Sequence, residues 1–229
     1  DSISKNLYSE YGVKRGLRDE KGQGVLTGLT NISDIKAFEY HDGVKSPCDG
    51  ELSYRGYNIK DLVTGSKGKR FVFEEGAYLL LFGELPTDTQ LMEFQGRLSD
   101  CMELPTNFTR DVIMKAPTSD IMGSMTRSIL TLGSYDKEKE SLEIPNVLRQ
   151  SMQLIAVFPM LAVYAYHAYC HYEKNESMYI HRPEKDLSIA ENFLRLLRPD
   201  TKFTELEARV LDIALLLHME PVSYTHLTL

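Results

Sequence analysis

Two histidines, His167 and His171, stand four positions apart in a segment of helical pattern, with Cys170 and Glu173 beside them. That spacing puts both rings on one helix face, where a pair of imidazoles takes a metal ion if a third ligand completes the set. No third ligand stands at a defined spacing, so no metal is read from the pair. The neighbouring Tyr164, Tyr166, Tyr169 and Tyr172 give the segment an amphipathic packing surface. Lys67, Lys69 and Arg70 form a basic, glycine-flanked loop that reads as a solvated turn, with a phosphate site as the alternative. Gly22-Gln-Gly24 has no strand-to-helix unit around it and is no dinucleotide fingerprint. Arg55, between Tyr54 and Gly56, reads as a structural anchor, with a ligand role as the alternative. His218 closes an apolar helical run, where an imidazole meets the last carbonyls of a helix.

Cys48, Cys101 and Cys170 are odd in number and form no Cys-x-x-Cys pair, so neither a zinc knuckle nor a disulfide framework is indicated. A reducing, cytoplasmic setting is the expectation. The first residues, Asp1-Ser-Ile-Ser-Lys5, show no signal pattern, and the missing initiator Met leaves room for residues upstream. A net charge of −7 speaks against a nucleic-acid surface, which needs clustered Lys and Arg to neutralise phosphates, but not against a small anionic substrate in a basic pocket. With 42% hydrophobic and 26% charged residues over 229 positions, the chain has the material for a packed core.

The elements that must position these residues are mostly helical. Val25-Leu-Thr27 and Glu51-Leu-Ser-Tyr54 read as short strands of a hairpin near the N-terminus. Phe73, Ala77, Leu80 and Leu81 then recur at helical spacing until Gly83 and Pro86 stop the pattern. Thr87-Asp-Thr-Gln90, Ser188-Ile-Ala-Glu191 and Thr204-Glu-Leu-Glu207 each have the form of a capping box. Ser119 is the expected cap of a helix running to Leu132 and closed by Gly133. Pro145 suits the first turn of a long helix to about Glu173, with a kink expected at Pro159. Its most apolar stretch, residues 154–165, is broken by that proline and falls short of the roughly 18 unbroken apolar residues of a membrane span, so a buried helix is expected. In the last helix Leu206, Val210, Ile213 and Leu217 form one stripe, widened by Leu211, Ala214 and Leu215, and burial on several sides is expected.

Four segments carry a resemblance. They are Gly50-Glu-Leu-Ser-Tyr-Arg-Gly-Tyr-Asn-Ile59 with Asp61-Leu62, Phe73-Glu-Glu-Gly-Ala-Tyr-Leu-Leu-Leu-Phe-Gly-Glu-Leu-Pro-Thr87, Ser188-Ile-Ala-Glu-Asn-Phe-Leu194, and Leu211-Asp-Ile-Ala-Leu-Leu-Leu-His-Met-Glu220. In this order they resemble the citrate synthase family, and Val13-Lys-Arg-Gly-Leu-Arg18 and Gly24-Val-Leu-Thr-Gly-Leu29 also fit. The likeness covers residues 11–220, about half of a family member.

The resemblance implies a mostly α, citrate-synthase-like fold with residues 1–220 as the N-terminal part of its large helical domain and the small domain absent. It implies condensation of acetyl-CoA with oxaloacetate to citrate and CoA. An Asp base removes a methyl proton, one His stabilises the enol, a second polarises the ketone, and arginines hold the carboxylates, with no metal and no cofactor beyond the co-substrate. Those residues fall beyond the likeness, so no catalytic residue is expected in this chain. Only His218 carries over, as a neighbour shaping the oxaloacetate pocket. Where the family continues with another His and a Gly-rich turn, this chain has Pro221. Residues 221–229 look like the translation of a sequencing adapter, and a non-native tail is expected. The resemblance further implies a homodimer through helices matching residues 119–133 and 145–172. A 2-methylcitrate synthase and a non-catalytic helical binding or dimerisation module are the alternatives.

Overall fold

The computed structural model describes Glu10 and residues 32–219. The chain divides into two compact units, Asp1–Ile32 and Ser33–Leu229, and the strands and helices of residues 33–219 belong to the second. Residues 13–29, with the expected strand at 25–27 and the Gly22-Gln-Gly24 turn, lie outside the described residues, as does the tail at 221–229.

The second unit opens with an antiparallel hairpin, β1 (Ser33–His41) and β2 (Val44–Tyr54), in which His41 pairs with Val44 and Ser33 with Tyr54. The expected strand at 25–27 lies outside the described residues, and Glu51–Tyr54 pairs with residues 33–36. The cause is the two-residue turn Asp42-Gly43, with φ of 51° and 81°, both in the left-handed region that a tight hairpin demands and Gly supplies without strain. A second such turn, Arg55-Gly56, returns β2 into the short β3 (Tyr57–Asn58). Asn58 then caps α1 (Ile59–Gly65), its side-chain oxygen accepting from the Lys60 amide at 2.9 Å.

The rest is helical: α2 (Val72–Phe82), α3 (Asp88–Asp100), a π-helical turn at Thr109–Ile113, α4 (Ile121–Gly133), α5 (Ile144–Lys174), α6 (Ile189–Leu197) and α7 (Glu205–Leu217). All three capping boxes form, at the starts of α3, α6 and α7. The cap of α4 is Asp120, whose carboxylate accepts from the Gly123 amide at 2.9 Å, rather than Ser119. A carboxylate one residue nearer the helix reaches its third amide directly.

By length and composition α5 alone of the described helices is apolar enough to cross a membrane. Here its middle is the centre of the main core. Ala156, Val157, Leu161 and Ala168 pack there with Phe94 and Leu98 of α3, Phe108, Ile113 and Leu196. Pro159 is buried within the same helix. A second, smaller core joins the hairpin base to the helices through Leu52, Tyr54, Ile59, Val72, Leu79 and Leu216. Each such Leu or Val contributes roughly 1.5–3 kcal/mol on burial. The expected stripe on α7 is only partly covered: Leu215 packs against the main core, but Leu206 is 72% and Val210 61% exposed, while Ala208, Asp212 and Leu216 face inward. The apolar run is simply wider than the neighbours α2 and α6 can cover.

Candidate functional site

The four distinctive segments meet around α2 and α7. Tyr54, fully buried, donates its hydroxyl to the Leu216 carbonyl at 3.0 Å. This bond ties the hairpin base to the last turn of a helix 162 residues away. Arg55 donates to the Leu80 carbonyl at 2.9 Å near the end of α2, and its Nε is buried without a partner. It is an anchor in this fold. Helices α2 and α7 approach so closely that a Cβ on Gly76 would sit 2.3 Å from Leu216 Cδ1 and 3.2 Å from Met219 Sδ. A side chain larger than that of Gly fits there only if Leu216 shifts. His218 closes α7 as its C-cap and donates from Nδ1 to the Ala214 carbonyl at 2.6 Å, the helix-end arrangement expected of it.

Beneath this frame lie two carboxylates that sequence reasoning missed. Asp212 of α7, 4% exposed, accepts from the Val72 amide at 3.0 Å and the Phe73 amide at 2.9 Å. Helix α2 has no cap from its own Phe71, so Asp212 supplies one from across the fold. Glu74 of α2, 1% exposed, accepts through Oε1 from the Ile189 amide at the start of α6 at 2.7 Å, and its Oε2 is buried without a partner. Burial, with the Asp212 charge added, pushes the Glu74 carboxyl up to about 8. Burial also raises Asp212, against the pull of its two amide donors. Nearby, Arg70 grips Glu191 with two nitrogens, at 2.7 and 2.8 Å, and donates to the Asp186 carbonyl. Burial alone would lift Glu191, but Arg70 and the Ser188 amide hold it below the usual carboxylate range.

Two cations of the basic loop have partners within the fold. Lys69 pairs with Glu75 at 3.3 Å, Arg70 belongs to Glu191, and Arg209 donates to the Lys69 carbonyl and to Ser66 Oγ. A cavity of about 510 Å³ lies here, lined by Arg70, Glu191, Arg209 and Asp212, each partnered within the fold, and by Glu205. His167 and His171 go to different carbonyls, Leu196 at 3.2 Å and Glu176 at 2.7 Å. Burial holds the His167 imidazole below its usual range. No group of three or more His, Cys, Asp or Glu placed to hold a metal occurs among the described residues. The four tyrosines divide: Tyr164 is buried and donates to the His181 carbonyl, Tyr169 is half-buried, and Tyr166 and Tyr172 are exposed.

The arrangement ties the last turn of α7 to the hairpin base and to α2. Fold and frame together define a helical scaffold. Residues 17–221 match the family described as citrate synthase, C-terminal domain. A 2-methylcitrate synthase of Shewanella oneidensis is 31% identical over 170 residues, 74% of this chain and 41% of that protein. A citrate synthase of Saccharolobus solfataricus is 29% identical over 216 residues, 93% of this chain and 50% of that protein. The crystal structure of citrate synthase from Pyrobaculum aerophilum matches with a TM-score of 0.69 at 25% identity, over 91% of this chain and 50% of that one. The chain belongs to the citrate synthase family, and it spans half or less of the length of these relatives.

Proposed function

We propose that this chain is the leading part, about half, of an enzyme that condenses acetyl-CoA with oxaloacetate, releasing citrate and CoA. The observation that carries the reading is the convergence of all four family-like segments around α2 and α7. In this reading the frame fixes where the chain leaves α7, and His218 lines the edge of the oxaloacetate pocket that later residues complete. Proton abstraction and enol stabilisation belong to residues of the remaining half, so residues 1–229 alone are inactive. We place the enzyme in the cytoplasm, as a homodimer through α4 and α5, whose Met122, Leu130, Ile144 and Phe158 are exposed in the single chain. The large helical domain then begins in residues 1–220, and residues 221–229 are not native to it.

A 2-methylcitrate synthase is the second reading, supported by the Shewanella relative. The test is CoA release, monitored with a thiol reagent, from acetyl-CoA or propionyl-CoA plus oxaloacetate. This chain is expected to release none, and turnover by it would contradict the division of labour. The whole gene product is expected to prefer acetyl-CoA. Preference for propionyl-CoA would transfer the assignment to the methylcitrate reaction. Absence of turnover with both would favour a non-catalytic helical binding module.

A further inference from the structure

Glu74 and Asp212 lie where the starts of two helices meet the side of a third, and each satisfies amides that no local cap reaches. Asp212 spends both oxygens on the first two amides of α2. Glu74 spends one oxygen on the first amide of α6 and leaves the other buried and unpaired. We propose that the two carboxyls form a proton-linked clasp, Glu74 neutral and Asp212 charged, that locks α2 and α6 onto α7 and loosens when Glu74 loses its proton. The clasp is independent of the activity proposed above.

The assignment of charge follows from the donors. A carboxylate with two amide donors at a helix start is well solvated by the protein. One with a bare buried oxygen beside two other carboxylates is not. Leaving one hydroxyl without an acceptor costs less than burying an unpaired charge beside a second negative one. The surroundings reinforce this. Asp212 and Glu191 push against a charge on Glu74 from α7 and α6. The cations that would offset it, Arg70 and Arg209, are turned to Glu191, the Asp186 carbonyl, Ser66 and the Lys69 carbonyl. Arg55 from the hairpin and Glu93 and Arg97 of α3 lie toward the other half of α2, against Leu80 and beside Tyr78 and Phe82.

The sign follows by linkage. Glu74 binds its proton more tightly folded than unfolded, so its contribution is fully present below the ordinary carboxylate range and is lost as pH rises through about 8. Asp212, also raised, acts in the same direction. Urea unfolding of the 229-residue chain from about pH 6 to about pH 9 is expected to show a midpoint that falls across this window. Glu74→Gln, which keeps the carbonyl acceptor and cannot ionise, is expected to remove at least half of that fall. A Glu74→Gln midpoint that falls as steeply as the parent's would overturn the clasp. Should that variant not fold, hydrogen exchange of the parent decides. The protection factor at the Ile189 amide is expected to drop at least tenfold as pH passes about 8, with α5 amides unchanged. Equal protection at both ends of the range would refute the proposal.

Discussion

Gly76 lies at a tight crossing of α2 and α7, and a single methyl group there is informative. Gly76→Ala forces Leu216 and Met219 to move, because the new carbon meets Leu216 Cδ1 at 2.3 Å. Overpacking of this kind costs about 1–3 kcal/mol, against a gain of under 1 kcal/mol from replacing Gly within a helix. Net destabilisation is therefore expected in urea, and Leu216→Ala in the same chain should make the added methyl less costly. Equal costs of the methyl in both backgrounds would show that Leu216 is not the obstacle. Tyr54→Phe, which strips the hydroxyl from the Leu216 carbonyl, is expected to cost about 1 kcal/mol without loss of fold. Residues of this kind were only partly legible. Arg55 read as an anchor because a charged residue between Tyr and Gly in a turn has few other uses. Glu74 and Asp212 read as ordinary polar positions in helical runs. Their partners lie 115 and 140 residues away, beyond the reach of any local pattern.

At the scale of elements, local chemistry decided most of the outcome. A hydroxyl three residues before Gln or Glu fixes a helix start by itself, and so the starts of α3, α6 and α7 stand where their capping boxes put them. Ser188→Ala removes the acceptor for the Glu191 amide and is expected to cost about 0.5–2 kcal/mol, measured as a shift in the urea midpoint at constant slope. An unchanged midpoint would mean that Glu74 and Arg70 hold α6 without the box. A hairpin was legible and Glu51–Tyr54 read as one of its strands, but β1 escaped the reading because the decisive signal was the turn. Asp42-Gly43 lies between two runs that alternate only weakly, and the exposed half of the hairpin carries few buried side chains to mark it. The outer face of α7 shows the complementary error. Periodicity reports that a face is apolar, not that this chain covers it.

At the scale of the whole molecule, uncovered apolar surface is the main feature. Leu206 and Val210 on α7, with Met122 and Leu130 on α4, present side chains that a stable monomer rarely leaves bare. On the proposed reading the remaining half of the enzyme covers α7 and a second copy covers α4. Alone, the chain is expected to self-associate with rising concentration, and the double change Leu206→Lys with Val210→Lys to reduce that association in sedimentation velocity. A parent that sediments as a monomer throughout the micromolar range would argue against both covers. The overall fold class was legible because helical periodicity and three caps repeat along the chain. On the proposed reading the site is legible only up to His218, because that reading assigns the chemistry to residues outside the likeness. The central claim, that these residues are the leading half of a citrate synthase family enzyme, is tested most directly by reading the source gene across the codon for Glu220. An open frame continuing into a His and a Gly-rich turn in place of Pro221 is expected. A genomic frame that encodes residues 221–229 and then stops would contradict the claim.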